Sequence, residues 1–456
     1  TIVFTPGAGV PLFAVSALGG TVTAVTRLDS LRKENSHRWP SFLPDGRHFL
    51  YLARTVTAGS QGEGGLIRLA SLDGKMNKVL VPAVSNAVYA SGYILYVRGT
   101  TLIAHLFDES SLELKGEPTT IAEGVTYDPS INRGMFTVSS NGILVYQTGI
   151  AKLGSRLIFF DRGGKLVSVA SELAEYFYTR LSPDDKRVSS YVWDYQSHNA
   201  DIWITDFTRG LKTRFTFNPA VETHSVWSPD GSRIIFNSNV EGPANLYQKS
   251  TSGVGSEELL LRSDNGKAPC DWSRDGKFLL YDEFSGKGTQ FDLWVLPLIG
   301  DRKPVSFLQT EFNERDARFS PDGRWVAYVS DESGQNEIYV RSFQESGGQS
   351  VPKSGSLSQV SVSGGDAPRW RREGKELYYF SSDNKMMAAD IDVKGGSLEV
   401  SHVRPLFEVP SIVQLLGSDY DVTSDGRKFL VNVPFESQNQ TPLPLVVNWD
   451  EMVRKK

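Results

Sequence analysis

The chain has 456 residues, 39% hydrophobic and 11% aromatic, with a formal net charge of -5 spread over interspersed acids and bases. That length suits two or three ordinary domains or one or two large repeat-built ones, and no surface rich in Lys and Arg alone marks a nucleic-acid binder. No apolar run approaches the ~20 residues that span a bilayer, and the single cysteine, Cys270, excludes an intrachain disulfide without fixing the compartment.

The chain opens at Thr1 without an initiating Met or a signal peptide, which points to a processed or truncated product. Ile2-Val3-Phe4 and Leu12-Phe13-Ala14-Val15 read as strands with no hairpin signal before them. A repeated hairpin follows: Phe42-Leu43-Pro44-Asp45-Gly46, then two worn copies at Tyr89-Ala90-Ser91-Gly92 and Val138-Ser139-Ser140-Asn141-Gly142. Further copies are Leu181-Ser182-Pro183-Asp184-Asp185, Val226-Trp227-Ser228-Pro229-Asp230-Gly231 and Trp272-Ser273-Arg274-Asp275-Gly276. Arg318-Phe319-Ser320-Pro321-Asp322-Gly323, Trp370-Arg371-Arg372-Glu373-Gly374 and Val422-Thr423-Ser424-Asp425-Gly426 complete the set. The turns fall at 46, 92, 142, 185, 231, 276, 323, 374 and 426, so the spacing stays between 43 and 52. A period of about 40–50 residues is the length of a four-stranded propeller blade. Pro presets φ, Asp bonds nearby backbone and Gly takes positive φ, so each copy is a turn. Runs such as Arg233-Ile234-Ile235-Phe236 and Trp325-Val326-Ala327-Tyr328 then read as second strands, and Asp292-Leu293-Trp294-Val295 as a third. No long segment has a 3.6 period, so the expected class is all-β, a nearly helix-free β-propeller of four-stranded antiparallel blades.

The Ser-Pro-Asp-Gly repeat resembles the TolB-like, WD-like propeller repeats of bacteria. Phe215-Thr216-Phe217, Trp294-Val295-Leu296-Pro297-Leu298 and Phe307-Leu308-Gln309-Thr310 resemble the propeller regions of bacterial, notably acidobacterial, serine/threonine kinases. The resemblance implies an extracytoplasmic (periplasmic or cell-envelope) sensor or interaction domain. A kinase is absent: the chain has no Val-Ala-Ile-Lys after a glycine-rich loop, no His-Arg-Asp and no Asp-Phe-Gly.

The six turns from 185 to 426 predict one closed six-bladed ring within residues 155–456. Its last unit lacks an outer strand, which Lys165–Val169 would supply near Leu445. Residues 1–154 then hold three complete units and a partial one, part of a second, incomplete propeller. One continuous ring of eight to ten blades is the alternative.

No Gly-x-Ser-x-Gly elbow is present. The six histidines form no His-x-x-x-His or His-Glu-x-x-His set, so no catalytic residue, metal or cofactor is assigned. The aromatics Trp227, Trp272, Phe319 and Trp370 recur once per unit and read as packing between blades. Cys270 reads as a small buried hydrophobe. The residue before each aromatic carries the most information: Arg180, Val226, Asp271, Arg318, Arg369 and Asp421. First strands lie innermost, so Arg180, Asp271, Arg318, Arg369 and Asp421 should ring one channel, with His224 near its mouth. Two readings stand: ion pairs between blades (Asp271 with Arg318, Arg369 with Asp421, Asp421 with Arg180), or a charged mouth that binds an anion or acidic peptide. The function expected is a non-catalytic interaction or sensor module that binds a protein, peptide or small ligand at the channel face. The alternatives are an enzyme with a channel site and a self-assembling envelope or filament protein that pairs through an open ring edge. No nucleic-acid partner is expected.

Overall fold

The computed structural model describes residues 1–454 except 7–8, 33, 56–63, 129–130, 140, 149–153, 195–198, 254, 285–290, 347–348, 410–419 and 435–442. It divides into two compact units, Thr1–Lys152 with Glu436–Lys456, and Leu153–Phe435.

The hairpin repeat has a specific hydrogen-bond chemistry. The Ser228 hydroxyl donates to Asp230 Oδ1 at 2.6 Å and accepts the Arg233 amide at 2.9 Å. Asp230 Oδ1 also accepts the Ser232 amide at 3.0 Å, and Gly231, with φ 69, turns the chain through the left-handed region. The same relay joins Ser182 to Asp184, Ser273 to Asp275, Ser320 to Asp322 and Thr423 to Asp425, at 2.5 to 2.7 Å. A hydroxyl two residues before the Asp therefore satisfies both the carboxylate and the first amide of the second strand. Asp185 replaces the glycine in one copy, with φ 58, a conformation Asp tolerates better than most residues. Its carboxylate accepts the Ser424 amide at 3.0 Å and the Ser424 hydroxyl at 2.6 Å, from the last turn of the unit.

In the second unit six antiparallel sheets of four strands follow one another. The first five occupy 176–214, 222–261, 266–308, 314–359 and 366–408. The sixth takes Tyr420–Val422 and Lys428–Pro434 from the end of the unit and Ser155–Asp161 and Leu166–Val169 from its beginning. The first strand of each sheet touches the first strand of the next, and Tyr420–Val422 touches Tyr176–Leu181, so the cycle closes. Apolar side chains fill the space between sheets, as where Leu280, Val295 and Phe307 of the third meet Ala317 and Phe319 of the fourth. The periodic Trp residues add bonds across these seams: Trp227 Nε1 donates to Arg180 O at 3.1 Å and Trp370 Nε1 to Arg318 O at 3.2 Å.

The closing sheet is fastened on both flanks. Toward the first sheet, Asp421 Oδ2 accepts the Leu181 amide at 2.8 Å and Asn432 Nδ2 donates to Tyr176 O at 2.6 Å. Toward the fifth, Arg162 donates to both oxygens of Glu376 at 2.7 and 3.1 Å. Arg371, Arg404 and Tyr378 converge on the same carboxylate at 2.8 to 2.9 Å. Burial opposes the charge of Glu376, but Arg162, Tyr378 and Arg371 outweigh it and hold its carboxyl down at about 2.

The first unit holds four sheets of three or four strands. Ile2–Phe4, Phe13–Val15 and Thr23–Ala24 form the first; Glu34–Phe42, His48–Thr55, Gly64–Ser71 and Asn77–Pro82 the second. Ala87–Ala90, Tyr93–Arg98, Thr101–Asp108 and Glu113–Ala122 form the third. Phe136–Val138, Ile143–Tyr146 and Leu445–Val447 form the fourth, and Tyr127–Asp128 with Arg133–Gly134 a short ribbon. The one helix among the described residues is Glu451–Arg454, and the expected all-β propeller class is observed.

Two expectations need correction. Leu166–Val169 is the outer strand of the closing sheet, but it pairs with Ser155–Asp161, and the segment at Leu445 is not its neighbour. Leu445–Val447 pairs instead with Ile143–Tyr146, with Leu144 opposite Val446. The boundary of the C-terminal domain at 456 therefore moves: the second unit ends at Phe435 and Glu436–Lys456 belongs to the first. The reason is Trp449, fully buried in one cluster with Leu95, Val97 and Leu144 and set edge-on to Tyr93 at 5.9 Å.

Replacing Ser320 by Ala removes the hydroxyl that accepts the buried Trp325 amide at 2.9 Å. The expected loss is about 1–3 kcal/mol in urea unfolding, against roughly 0.5 kcal/mol or less for Pro321→Ala in the same turn. Equal losses would discount the relay.

Candidate channel site

The innermost strands of the second unit are not straight. Their register slips between Phe177 and Arg180, Thr223 and Ser225, Pro269 and Asp271, Arg315 and Arg318, and Asp366 and Arg369. In four of these bulges one residue is left-handed: Tyr178 at φ 50, His224 at 45, Asp316 at 53 and Ala367 at 56. A bulge re-aims the side chains beside it, and a non-glycine residue held left-handed costs about 1–3 kcal/mol. The bulges therefore need compensation, and a polar network supplies it.

Asp316 is the centre of that network. Its carboxylate takes Arg318 Nη2 at 2.5 Å, Arg180 Nη2 at 3.5 Å and Arg369 Nη1 at 3.6 Å. Those arginines come from the fourth, first and fifth sheets, so Asp316 stands at the ring axis. Arg369 Nε also faces Asp421 Oδ1 at 3.7 Å. All three guanidiniums are buried, at 8% exposure or less. Each bonds the carbonyl of the residue before it: Arg180 to Thr179 O at 3.1 Å, Arg318 to Ala317 O at 2.8 Å, Arg369 to Pro368 O at 2.6 Å. One register position thus adopts one geometry in three sheets. The aspartates at that position behave alike too. Asp271 accepts the Phe319 amide and Asp421 the Leu181 amide, both at 2.8 Å.

Of the expected pairs, Arg369 faces Asp421. Arg318 turns to Asp316 on its own strand and to Cys270 O, which leaves Asp271 to the Phe319 amide. Arg180 reaches Asp316 while Asp421 takes the neighbouring amide. The left-handed bulge brings Asp316 to the axis, where it intercepts arginines assigned to other partners. The His224 ring lies 3.6 Å from that of Tyr178, and burial together with the Arg180 charge pushes it down to about 3.

Other members were not foreseen. Cys270 is buried, but its thiol donates to Asp282 Oδ1 at 2.8 Å, so it is more than a small hydrophobe. Asp282 Oδ2 accepts the Asp316 amide at 3.2 Å. Arg315 and Asp366 form a two-pronged pair between the fourth and fifth sheets at 2.5 and 3.0 Å. The signal for this group is Glu314-Arg315-Asp316-Ala317-Arg318, four charges in five residues of a strand that should be buried. Burial, resisted by amides and arginines, raises Asp271 to about 7; burial also raises Asp282 to about 7. Among the described residues no group of three His, Cys, Asp or Glu side chains is arranged to hold a metal ion.

No family model matches the chain. It is 26% identical over 205 residues to the uncharacterized peptidase YuxL of Bacillus subtilis, across 35% of this chain and 31% of that protein. It is 25% identical over 192 residues to the Tol-Pal system protein TolB of Helicobacter pylori, across 41% of this chain and 42% of that protein. The chain therefore spans about a third to two fifths of the length of these relatives. A solved structure assigned as TolB from Agrobacterium tumefaciens matches with 18% identity and a TM-score of 0.47, over 62% of this chain and 99% of that one. TolB from Acinetobacter baumannii matches with 13% identity and a TM-score of 0.39, over 85% and 80%.

Two measurements test this geometry. Asp316→Ala leaves three buried guanidiniums short of a partner, so it should cost about 3–5 kcal/mol, a fall of roughly 10 °C in melting temperature; a change under about 1 kcal/mol would remove Asp316 from the centre. The second concerns pH. Asp271, Asp282 and Glu314 at about 7 and Glu222 at about 8 hold protons more tightly folded than unfolded, where carboxyls titrate near ~4. The stability they contribute is complete below about pH 4 and is lost as pH rises through about 7 to 8. His224, depressed when folded, opposes this only below about pH 6.5. Melting temperature should therefore fall from pH 6.5 to 8.5, less steeply in Asp271→Asn with Asp282→Asn; a rise would contradict the assignment.

Proposed function

We propose that this TolB-like β-propeller is a non-catalytic interaction module whose second unit takes a protein partner or ligand at the mouth of its ring. The observation that carries the reading is Arg369. It is 4% exposed, yet its Nη2 has no hydrogen-bond partner among the described residues, and its Nε meets only Asp421 at 3.7 Å, beyond hydrogen-bond reach. Buried donors without acceptors are uncommon and cost stability, and a ligand on the axis would satisfy them. The neighbouring carboxylates support the reading too, since Asp316 and Asp421 are engaged by arginines and an amide. The likeness to a protein of the Tol-Pal system favours a protein partner and an extracytoplasmic place, in the periplasm or cell envelope.

A second reading has its own observation. Asp271 and Asp282 are carboxyls that burial raises to about 7, the range a general acid or base needs at neutral pH, and the partial likeness to a peptidase points the same way. Turnover of a peptide, ester or glycoside by the pure chain, abolished in Asp282→Asn, would replace the interaction reading with this one.

A photo-reactive residue at position 321, in the turn of the fourth sheet, tests the proposal in cells. The expected result is an adduct of one mass. The same residue at position 259, on an outer strand, should give none. Equal adducts from both positions, or none from 321, would overturn it.

A further inference from the structure

The residue before the acid of each turn differs around the ring: Pro183, Pro229, Arg274, Pro321, Arg372 and Ser424. Arg274 and Arg372 stand on either side of the Pro321 turn, and both are exposed. Other basic residues of these turns are paired: Lys277 with Asp275 at 3.2 Å, Arg324 with Asp322 at 2.6 Å and Arg371 with Glu376 at 2.9 Å. Neither Arg274 nor Arg372 has an ion pair or a side-chain hydrogen bond among the described residues. The third and fifth sheets both flank the fourth, and partial desolvation first and the charge of Arg372 second make Arg274 a weaker base, while Asp271 acts the other way. Two like charges two sheets apart, brought together over the intervening turn, raise the free energy of the empty mouth.

In the wall of the same ring lies Arg369, whose buried Nη2 has no hydrogen-bond partner among the described residues. Around the mouth and the wall beneath it stand Arg180, Arg274, Arg315, Arg318, Arg369 and Arg372 with Asp271, Asp282, Asp316, Asp366 and Asp421, six guanidiniums against five carboxylates. Glu373 sits nearby but faces Arg371 at 4.0 Å.

We propose that this mouth binds a carboxylate of an acidic peptide segment, with Arg274 and Arg372 gripping it at the rim and Arg369 receiving it from the wall. The inference rests on the reading of the ring mouth as a binding site and names the chemistry of what it takes. A guanidinium fork matches a planar carboxylate through two parallel bonds. The wall arginines Arg180, Arg318 and Arg369 meet at one carboxylate, Asp316, and do not line a groove, which suits a side chain or chain end and not a nucleic-acid backbone. A phosphate dianion would also meet the resident carboxylates with twice the charge of a single carboxylate.

Calorimetric titration of the full chain with a hexaglutamate peptide tests this, with hexalysine and inorganic phosphate as parallel probes. Hexaglutamate should bind, hexalysine should not, and phosphate should bind at least tenfold more weakly. Arg274→Ala with Arg372→Ala changes exposed residues only and relieves their repulsion, so the melting temperature should not fall while hexaglutamate affinity drops tenfold or more. Lys277→Ala with Arg324→Ala, which changes equal charge at paired positions, should lower affinity by less than threefold. Equal losses in the two double variants would mean non-specific attraction and overturn the proposal. Phosphate binding as tightly as hexaglutamate would make this a small-anion site and overturn it as well. If hexaglutamate fails to bind while position 321 still gives its single adduct, the carboxylate assignment falls and the binding mouth stands. If both fail, both readings fall.

Discussion

Asp421 accepts the Leu181 amide at 2.8 Å, and contacts of that kind make a ring out of a row of sheets. A stack of short antiparallel sheets leaves one open flank at each end, and exposed sheet edges invite pairing with other chains. The second unit solves this by building its last sheet from both ends of its own sequence. Seven residue pairs, from Ser155 with Pro434 to Asp161 with Lys428, hold the two halves together. The site depends on the same closure. Asp316 gathers arginines from the first, fourth and fifth sheets, and the first lies next to the sixth only when the ring is shut.

The chain uses one residue type in two opposite ways. Asp230, exposed in its turn and fed by the Ser228 and Ser232 hydroxyls and the Ser232 amide, is held down at about 2. Asp271, on an inner strand, is raised to about 7 because burial outweighs the amides and arginines around it. The first keeps a hairpin in register at any ordinary pH; the second titrates near neutrality. Solvent access separates them, not chemical identity.

Charges on the axis add little net stability, because desolvation offsets most of their attraction. Their contribution is positional. A guanidinium that meets Asp316 and its own strand carbonyl together can do so only at one register, and a slip of one residue would turn every arginine out of the channel. The left-handed bulges at Tyr178, His224, Asp316 and Ala367 fit this picture: local strain is tolerated where a surrounding network over-determines the backbone.

The repeat, its period and its turns were legible in the sequence because they are local. A hydroxyl, an acid and a glycine within four residues specify a hairpin whatever surrounds them, and the strand after each turn declares itself by apolar content. The shared register position of Arg180, Asp271, Arg318, Arg369 and Asp421 was legible from their equal distance to the turn. The hub did not. Asp316 shares its bulge position with Tyr178, His224 and Ala367, so no residue type marks the site, and the left-handed backbone that turns it inward is imposed by the sheet. The return of Leu445–Val447 to Ile143–Tyr146 was equally hidden, since strands some 300 residues apart carry no mark of their partner beyond shared apolar character. Sequence determined which segments are turns and strands, through interactions that close within a few residues. Tertiary structure decided which strands meet and which acid holds the arginines, because those choices depend on burial and on edges that exist only once the sheets are assembled.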